Sequence, residues 1–193
     1  MAVKELKCRI RGLVPLILHN GRLKNPRDKM AKQIKEYTSK RKKTDADFEE
    51  ISRLEWFAGL YTDDEGNVVI PGTNIEGMVV SGAKKAKRGK DFQAGVFCDE
   101  NPVIEHDGPK DLNELWMDER FVMETAVKVK STGGSVMRTR PIFREWSLNF
   151  KLTYSDDVVN EADVKKALED AGRLVGLCDW RPKFGRFEIV SCK

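Results

Sequence analysis

The feature that most restricts this chain is a strand–helix–strand run near its C-terminal end. Along Ile142–Tyr154, Trp146, Leu148, Phe150 and Leu152 share one face, and Glu145, Ser147, Asn149 and Lys151 share the other. A period of two marks a strand half buried in a sheet. After it, Val164, Ala167, Leu168, Ala171, Leu174 and Val175 fall on one stripe of a helix. Asn160 is placed to cap that helix, with Asp163 at its third position. A loop over Gly176–Phe184 leads to a last strand, Gly185–Val190. These apolar faces need a second layer to bury them, so the remaining elements must complete a sheet covered by helices.

The remaining elements fit that requirement. Leu6, Cys8 and Ile10 alternate with Lys7, Arg9 and Arg11 in a first strand. Phe48, Ile51, Leu54, Trp56, Phe57 and Leu60 form a broad stripe on a helix starting near Asp45. Asp63–Asn67 is a turn, Val68–Ile70 a short strand, and Pro71-Gly72 its stop. A second helix is expected from Thr73 or Asn74 to near Gly89. Phe121–Lys130 alternates as another strand. With residues 91–119 set aside as an acidic insertion, the order is βαββαβ. The fold class is therefore α+β: a ferredoxin-like (RRM-like) core with an acidic insertion and a protruding basic β-hairpin. All 193 residues suit one domain, with 20–44 as a basic loop. The open face of such a sheet would carry Lys7, Arg9, Arg11, Lys128, Lys130, Ser147, Asn149 and Lys151.

Charge is segregated into blocks. The formal net charge is only +4, yet Arg22–Lys43 holds ten basic residues, Lys40, Arg41, Lys42 and Lys43 among them, against Asp28 and Glu36. A second basic run contains Lys84 and Lys85, and a third contains Lys128, Lys130, Arg138 and Arg140. Asp91–Glu119 between them has nine acids and one lysine. Such separation focuses a positive field and suits a polyanion.

Other chemistries find little support. No apolar run approaches the ~18 residues of a membrane span, and the charged start lacks a secretory signal core. A cytoplasmic setting, in a prokaryotic or phage-infected cell, is expected. The four cysteines are far apart, without a C-x-x-C pair, and read as reduced thiols. No metal site or cofactor is expected. Gly82 and Gly89-Lys90 have six residues between the glycines where a phosphate loop needs four, and Asp91 replaces its hydroxyl. The paired carboxylates sit in turns or at helix starts, where acids favour the helix dipole.

Three segments carry the functional expectation. In Val69–Gly77, Pro71-Gly72 turns the chain after a strand, Thr73 or Asn74 caps a helix start able to hold a phosphate, and Gly77 admits a close backbone. In Gly176–Phe187, Trp180, Phe184 and Phe187 interleave with Arg181, Lys183 and Arg186, offering stacking faces and phosphate contacts together. In Val127–Pro141, Lys128, Lys130, Arg138 and Arg140 surround a Gly-Gly tip.

Together these segments resemble the RAMP superfamily, the repeat-associated proteins of CRISPR effector complexes, and above all the backbone subunits that polymerise along a guide RNA. Ile70-Pro71-Gly72-Thr73-Asn74-Ile75-Glu76-Gly77 is similar to the family's I-P-G-[ST]-[ST]-[LI]-[KR]-G segment, with Glu76 where the family has a cation. Gly176–Gly185 stands in the place of its glycine-rich loop and keeps two glycines. The 127–141 hairpin stands in the place of its thumb. The run Met137–Trp146 also resembles small phage-borne proteins. The resemblance implies a non-enzymatic protein that binds single-stranded RNA or DNA, RNA favoured. It also implies homo-oligomers stacked head to tail and further CRISPR-like or phage subunits as partners. Two alternatives stay open: a metal-independent RNA-cleaving relative using His19 and Asp28, and a phage protein that blocks or mimics a CRISPR effector through protein contacts.

Overall fold

A computed structural model describes residues 2–128 and 133–193. In chain order it contains β1 (Val3–Gly12), β2 (Leu16–Ile17), a 3-10 turn (Gly21–Lys24), α1 (Lys29–Thr38) and α2 (Asp45–Gly59). Next come α3 (Gly72–Ala83), a 3-10 turn (Lys84–Ala86), α4 (Gly89–Gly95), β3 (Val96–Phe97), β4 (Ile104–His106) and α5 (Leu112–Met117). The chain continues through β5 (Val122–Lys128), β6 (Ser135–Phe143), β7 (Trp146–Ser155), α6 (Glu161–Leu174) and β8 (Phe187–Cys192). Where the sequence reads as one domain, the chain divides into two compact units. A sheet unit comprises Met1–Ile17, Tyr61–Asp107 and Phe143–Lys193, and an inserted unit comprises Leu18–Leu60 and Gly108–Ile142.

The sheet unit is a ferredoxin-like α+β core. Its strand order is β3-β7-β1-β8, with β4 also on the outer edge of β7, and every pairing is antiparallel. Leu6↔Leu152, Cys8↔Phe150 and Ile10↔Leu148 face each other across β1 and β7, all six buried. Complete burial of an aliphatic side chain such as Ile10 or Leu148 stabilises by about 1.5–3 kcal/mol. Helices α3 and α6 pack against one another, and α6 also packs on β8. Asn160 caps α6 as its sequence predicts, accepting from the Asp163 N–H at 2.9 Å.

The second strand of this plan is not Phe121–Lys130. Its place beside β7 is filled by β3 and β4, of two and three residues, from within the segment expected to be an insertion. Strands this short show no alternation. The ladder between them is bridged by a side chain, the Glu100 carboxylate accepting from the Lys151 N–H at 2.6 Å. Val68–Ile70 forms isolated bridges in place of a strand, Val68 with Thr62 and Val69 with Val103. Nor are the cysteines all thiols. Cys8 and Cys192 are opposite each other on β1 and β8 and are joined by a disulfide, with Cα atoms 4.1 Å apart. A separation of 184 residues hid that neighbourhood. Cys98 and Cys178 are free.

The inserted unit joins α1 and α2 to the β5–β6 hairpin. Residues 20–44 are not a structureless loop. Asp28 caps α1 by accepting from the Met30 and Ala31 N–H groups at 2.9 and 3.2 Å. Thr44 and Asp47 form a capping box at the start of α2. Trp56, fully buried, donates to the Phe121 carbonyl at 2.8 Å and lies near Trp116, with ring centroids 5.6 Å apart. No helix among the described residues is long and apolar enough to cross a membrane.

Candidate nucleic-acid interface

In the sheet unit two of the three sequence segments come together. Asn74, in the first turn of α3, points its amide at the Cys178 sulfur at 3.9 Å, so the start of α3 lies against the 176–185 loop. Helix α3 begins one to two residues earlier than its sequence predicts. Pro71 is the N-cap and makes no side-chain capping bond, and Gly72 opens the helix. The Gly72 N–H donates to the Asn101 side chain at 3.0 Å. Close backbone approach falls at Gly72 and not at Gly77: a side chain at 72 would strike the Cys98 and Glu100 carbonyls, whereas position 77 faces open space. Thr73 is exposed. Glu76 is turned to a structural task, accepting from the Cys98 N–H at 2.9 Å.

The loop is pinned at both ends. Leu177 donates to the Gly185 carbonyl at 2.8 Å, Gly185 to Pro15 at 2.9 Å, and Asp179 to Ile17 at 3.2 Å. Gly176 and Gly185 take φ of +82° and +73°, beside the Phe184 and Leu177 carbonyls respectively. Cys178 and Trp180 also hold positive φ, 60° and 53°. Non-glycine residues held there cost roughly 1–3 kcal/mol each and cluster at functional positions. The Trp180 and Phe184 rings are 6.0 Å apart, and the Lys183 ammonium lies 5.9 Å from the Phe184 ring centre. Arg181 and Lys183 are exposed, while Trp180, Phe184 and Arg186 are half-buried. Phe187 is no stacking surface: it is 1% exposed and packs in the core near Trp146, with centroids 6.5 Å apart. Burial pushes the Cys178 thiol up to about 12, which disfavours its thiolate.

Other expected residues are placed elsewhere. Lys84 and Lys85 lie at the opposite end of the 12-residue α3, about 18 Å from its start. The open face of the sheet is mixed in charge. Arg9 pairs with Glu105 at 2.7 Å, Arg11 pairs with Glu188, and Lys151 pairs with Glu5 at 2.8 Å. Glu105 also accepts from Ser147 and Asn149. The acids come from strands and connections whose register the sequence does not reveal.

Within the inserted unit, Lys40 pairs with Asp47 at 2.5 Å and lies 4.6 Å from the Tyr37 ring centre. Lys43 donates to the Lys40 carbonyl at 2.9 Å, and Arg41 and Lys42 are exposed. The hairpin base is not a free basic arm. Arg140 is 9% exposed, and Arg138 is held at 2.5 Å by Glu55, a carboxylate that also accepts from the Thr139 N–H at 3.0 Å. Lys128 is exposed, and Lys130 lies outside the described residues. Of the two candidates for RNA cleavage, Asp28 is engaged in capping α1 and in pairing with Arg22 at 3.0 Å. His19 is half-buried, and burial, then Arg140, Lys24 and Arg138, hold its imidazole below the usual range.

No protein-family model matches the chain, and no curated protein matches it. Among solved structures, it is similar to a chain in the cryo-EM structure of the Type III-B Cmr-beta bound to cognate target RNA. Identity is 11%, the TM-score is 0.53, and the match covers 99% of this chain and 60% of that one. The chain thus spans under two thirds of that neighbour, and the likeness is one of fold: a distant CRISPR-effector-like α+β architecture.

Proposed function

We propose that this protein binds single-stranded nucleic acid, RNA by preference, without cleaving it, as a RAMP-like subunit that adds copies head to tail along the strand. The observation that carries this reading is the junction of α3 with the 176–185 loop, fixed by the Asn74–Cys178 contact. The start of α3 offers the positive end of a dipole to a phosphate, its Gly72 N–H being already bonded to Asn101. Beside it, Trp180 and Phe184 offer ring faces to bases, and the exposed Arg181 and Lys183 offer charge to the backbone. Two side chains held at positive φ support a loop shaped for a ligand. The RNA-bound state of the structurally similar complex supports the same reading.

Assembly follows from charge. The acidic 91–119 segment of one copy meets the basic 22–43 segment of the next, a heterologous contact that builds rings or filaments. Fluorescence anisotropy with a short labelled RNA, repeated with DNA of the same sequence, tests the binding reading. A site that neutralises about six phosphates loses roughly 10²–10³-fold in affinity as salt rises from about 50 to about 200 mM. Arg181→Glu combined with Lys183→Glu weakens binding while leaving the melting temperature unchanged. Salt-independent binding, or full binding by the double variant, overturns the proposal.

A further inference from the structure

The sheet unit carries a second positive surface, apart from the α3–loop junction. Lys84, Lys85, Lys87 and Lys90 follow one another where α3 gives way, through a 3-10 turn, to α4, and all four are exposed. The carboxylates beside this connection are committed to other cations: Asp91 and Asp163 pair with Arg88, and Asp170 pairs with Lys166. Among the described residues no carboxylate pairs with any of the four lysines. Helix chemistry accounts for only part of the cluster. Lys84 and Lys85 follow the C-terminal end of α3, whose dipole favours cations. Lys90 lies in the first turn of α4, where the dipole disfavours one. Lys87 is held at φ 62°, a left-handed conformation that glycine adopts more readily. Like charges are thus gathered where local preference would disperse them, and a polyanion laid across them offsets their repulsion.

We propose that Lys84, Lys85, Lys87 and Lys90 form a second phosphate-backbone contact for the strand bound at the α3–loop junction, so that one subunit holds about five nucleotides along α3. The cluster lies at the far end of this 12-residue helix, about 18 Å from its start. Stacked nucleotides advance about 3.4 Å each, so about five cover that length. Gly77, exposed one turn after Thr73, faces open space between the two ends. Composition favours nucleic acid over a protein partner. Between Lys84 and Lys90 the exposed apolar group is the Ala86 methyl, whereas protein interfaces are anchored by large apolar side chains and are depleted in lysine. Ammonium groups on flexible stems meet phosphates as point charges and read no sequence. The inference rests on the strand-binding reading above, and the experiment separates the two.

Fluorescence anisotropy on the full chain tests this, with labelled oligouridylates of about four and about eight nucleotides, of which only the longer reaches both ends of α3. Lys84→Gln, Lys85→Gln, Lys87→Gln and Lys90→Gln together keep the aliphatic stems and remove the charges. This variant binds the longer RNA at least roughly tenfold more weakly than the parent and the shorter RNA equally well. On the longer RNA its slope of log affinity against log salt is shallower by about 2–3, since each phosphate neutralised on a single strand contributes about 0.7. Its melting temperature is unchanged, as exposed charges contribute little to folding, and changing the same four residues to Arg preserves binding. Arg181→Glu with Lys183→Glu, by contrast, weakens both lengths. Parental affinity of the four-Gln variant for the longer RNA overturns the proposal. So does a variant that keeps RNA affinity but loses self-association of the RNA-free protein in light scattering, which makes the cluster a protein contact. Weakening of the longer RNA by the four-Gln variant, with the loop double variant indifferent, supports the lysine contact and overturns the junction reading instead.

Discussion

The two units bury different things. In the sheet unit the interior is apolar, with Ile10, Leu148, Leu152, Val164 and Leu168 each at 0 or 1% exposure, and charged groups meet as ion pairs in solvent on the open face. The buried polar residues among those described, Asp47, Glu55, Thr139 and Arg140, all lie in the inserted unit. A buried carboxylate must be paired and hydrogen-bonded to be tolerated. Glu55 meets that condition with Arg138 and Thr139, and Asp47 meets it with Lys40 and Thr44. The first unit is specified by hydrophobic pattern, the second by matched charges.

Glu55→Ala breaks this comparison hardest. It strands Arg138 without its carboxylate and leaves the Thr139 N–H without the acceptor it has in the parent. Loss of about 3–5 kcal/mol is expected from chemical denaturation, with part recovered by Glu55→Gln. Gly185→Ala follows. A side chain at φ +73° runs into the Leu177 backbone, so the cost is at least about 1–2 kcal/mol. That variant also loses RNA affinity, because the loop carries Trp180 and Lys183.

Asp47 gives a smaller, pH-resolved effect. The Lys40 ammonium and the Thr44 N–H lower its carboxyl from 3.8 to about 2. A carboxyl lowered by folding stabilises the protein above its unfolded value, and that contribution is lost as pH falls through the folded one. The difference in denaturation midpoint between the parent and Asp47→Asn is therefore present near neutral pH and vanishes below pH about 2. Smallest of all is Arg9→Ala. Its pair with Glu105 has side chains 45% and 46% exposed, and the change in stability stays within about 1 kcal/mol. A larger loss there would mean that the open face is organised by charge after all.

The same contrast explains what the sequence revealed. Strand β7, helix α6 with its Asn160 cap and helix α2 with Thr44 before it are legible because period and capping are local properties. Strands β3 and β4 are too short for periodicity, and the Glu100 bridge to Lys151 joins residues 51 apart. The candidate interface was half legible. Pro71-Gly72 and the aromatic-basic loop stood out as motifs, but the turning of Glu76 to Cys98 and the burial of Phe187 depend on packing. Arg138 and Arg140 read as an exposed hairpin because alternation in an isolated hairpin cannot say which face meets α2.

The most direct test of strand binding at the α3–loop junction is photochemical cross-linking of the full chain to a short RNA, with the attached peptides read by mass spectrometry. Cross-links concentrated on Trp180 and Phe184, and removed when Arg181 and Lys183 are both changed to Glu, are the expected result. Cross-links confined to β1 and β7 of the open face, with the 176–185 loop unmodified, would contradict the account.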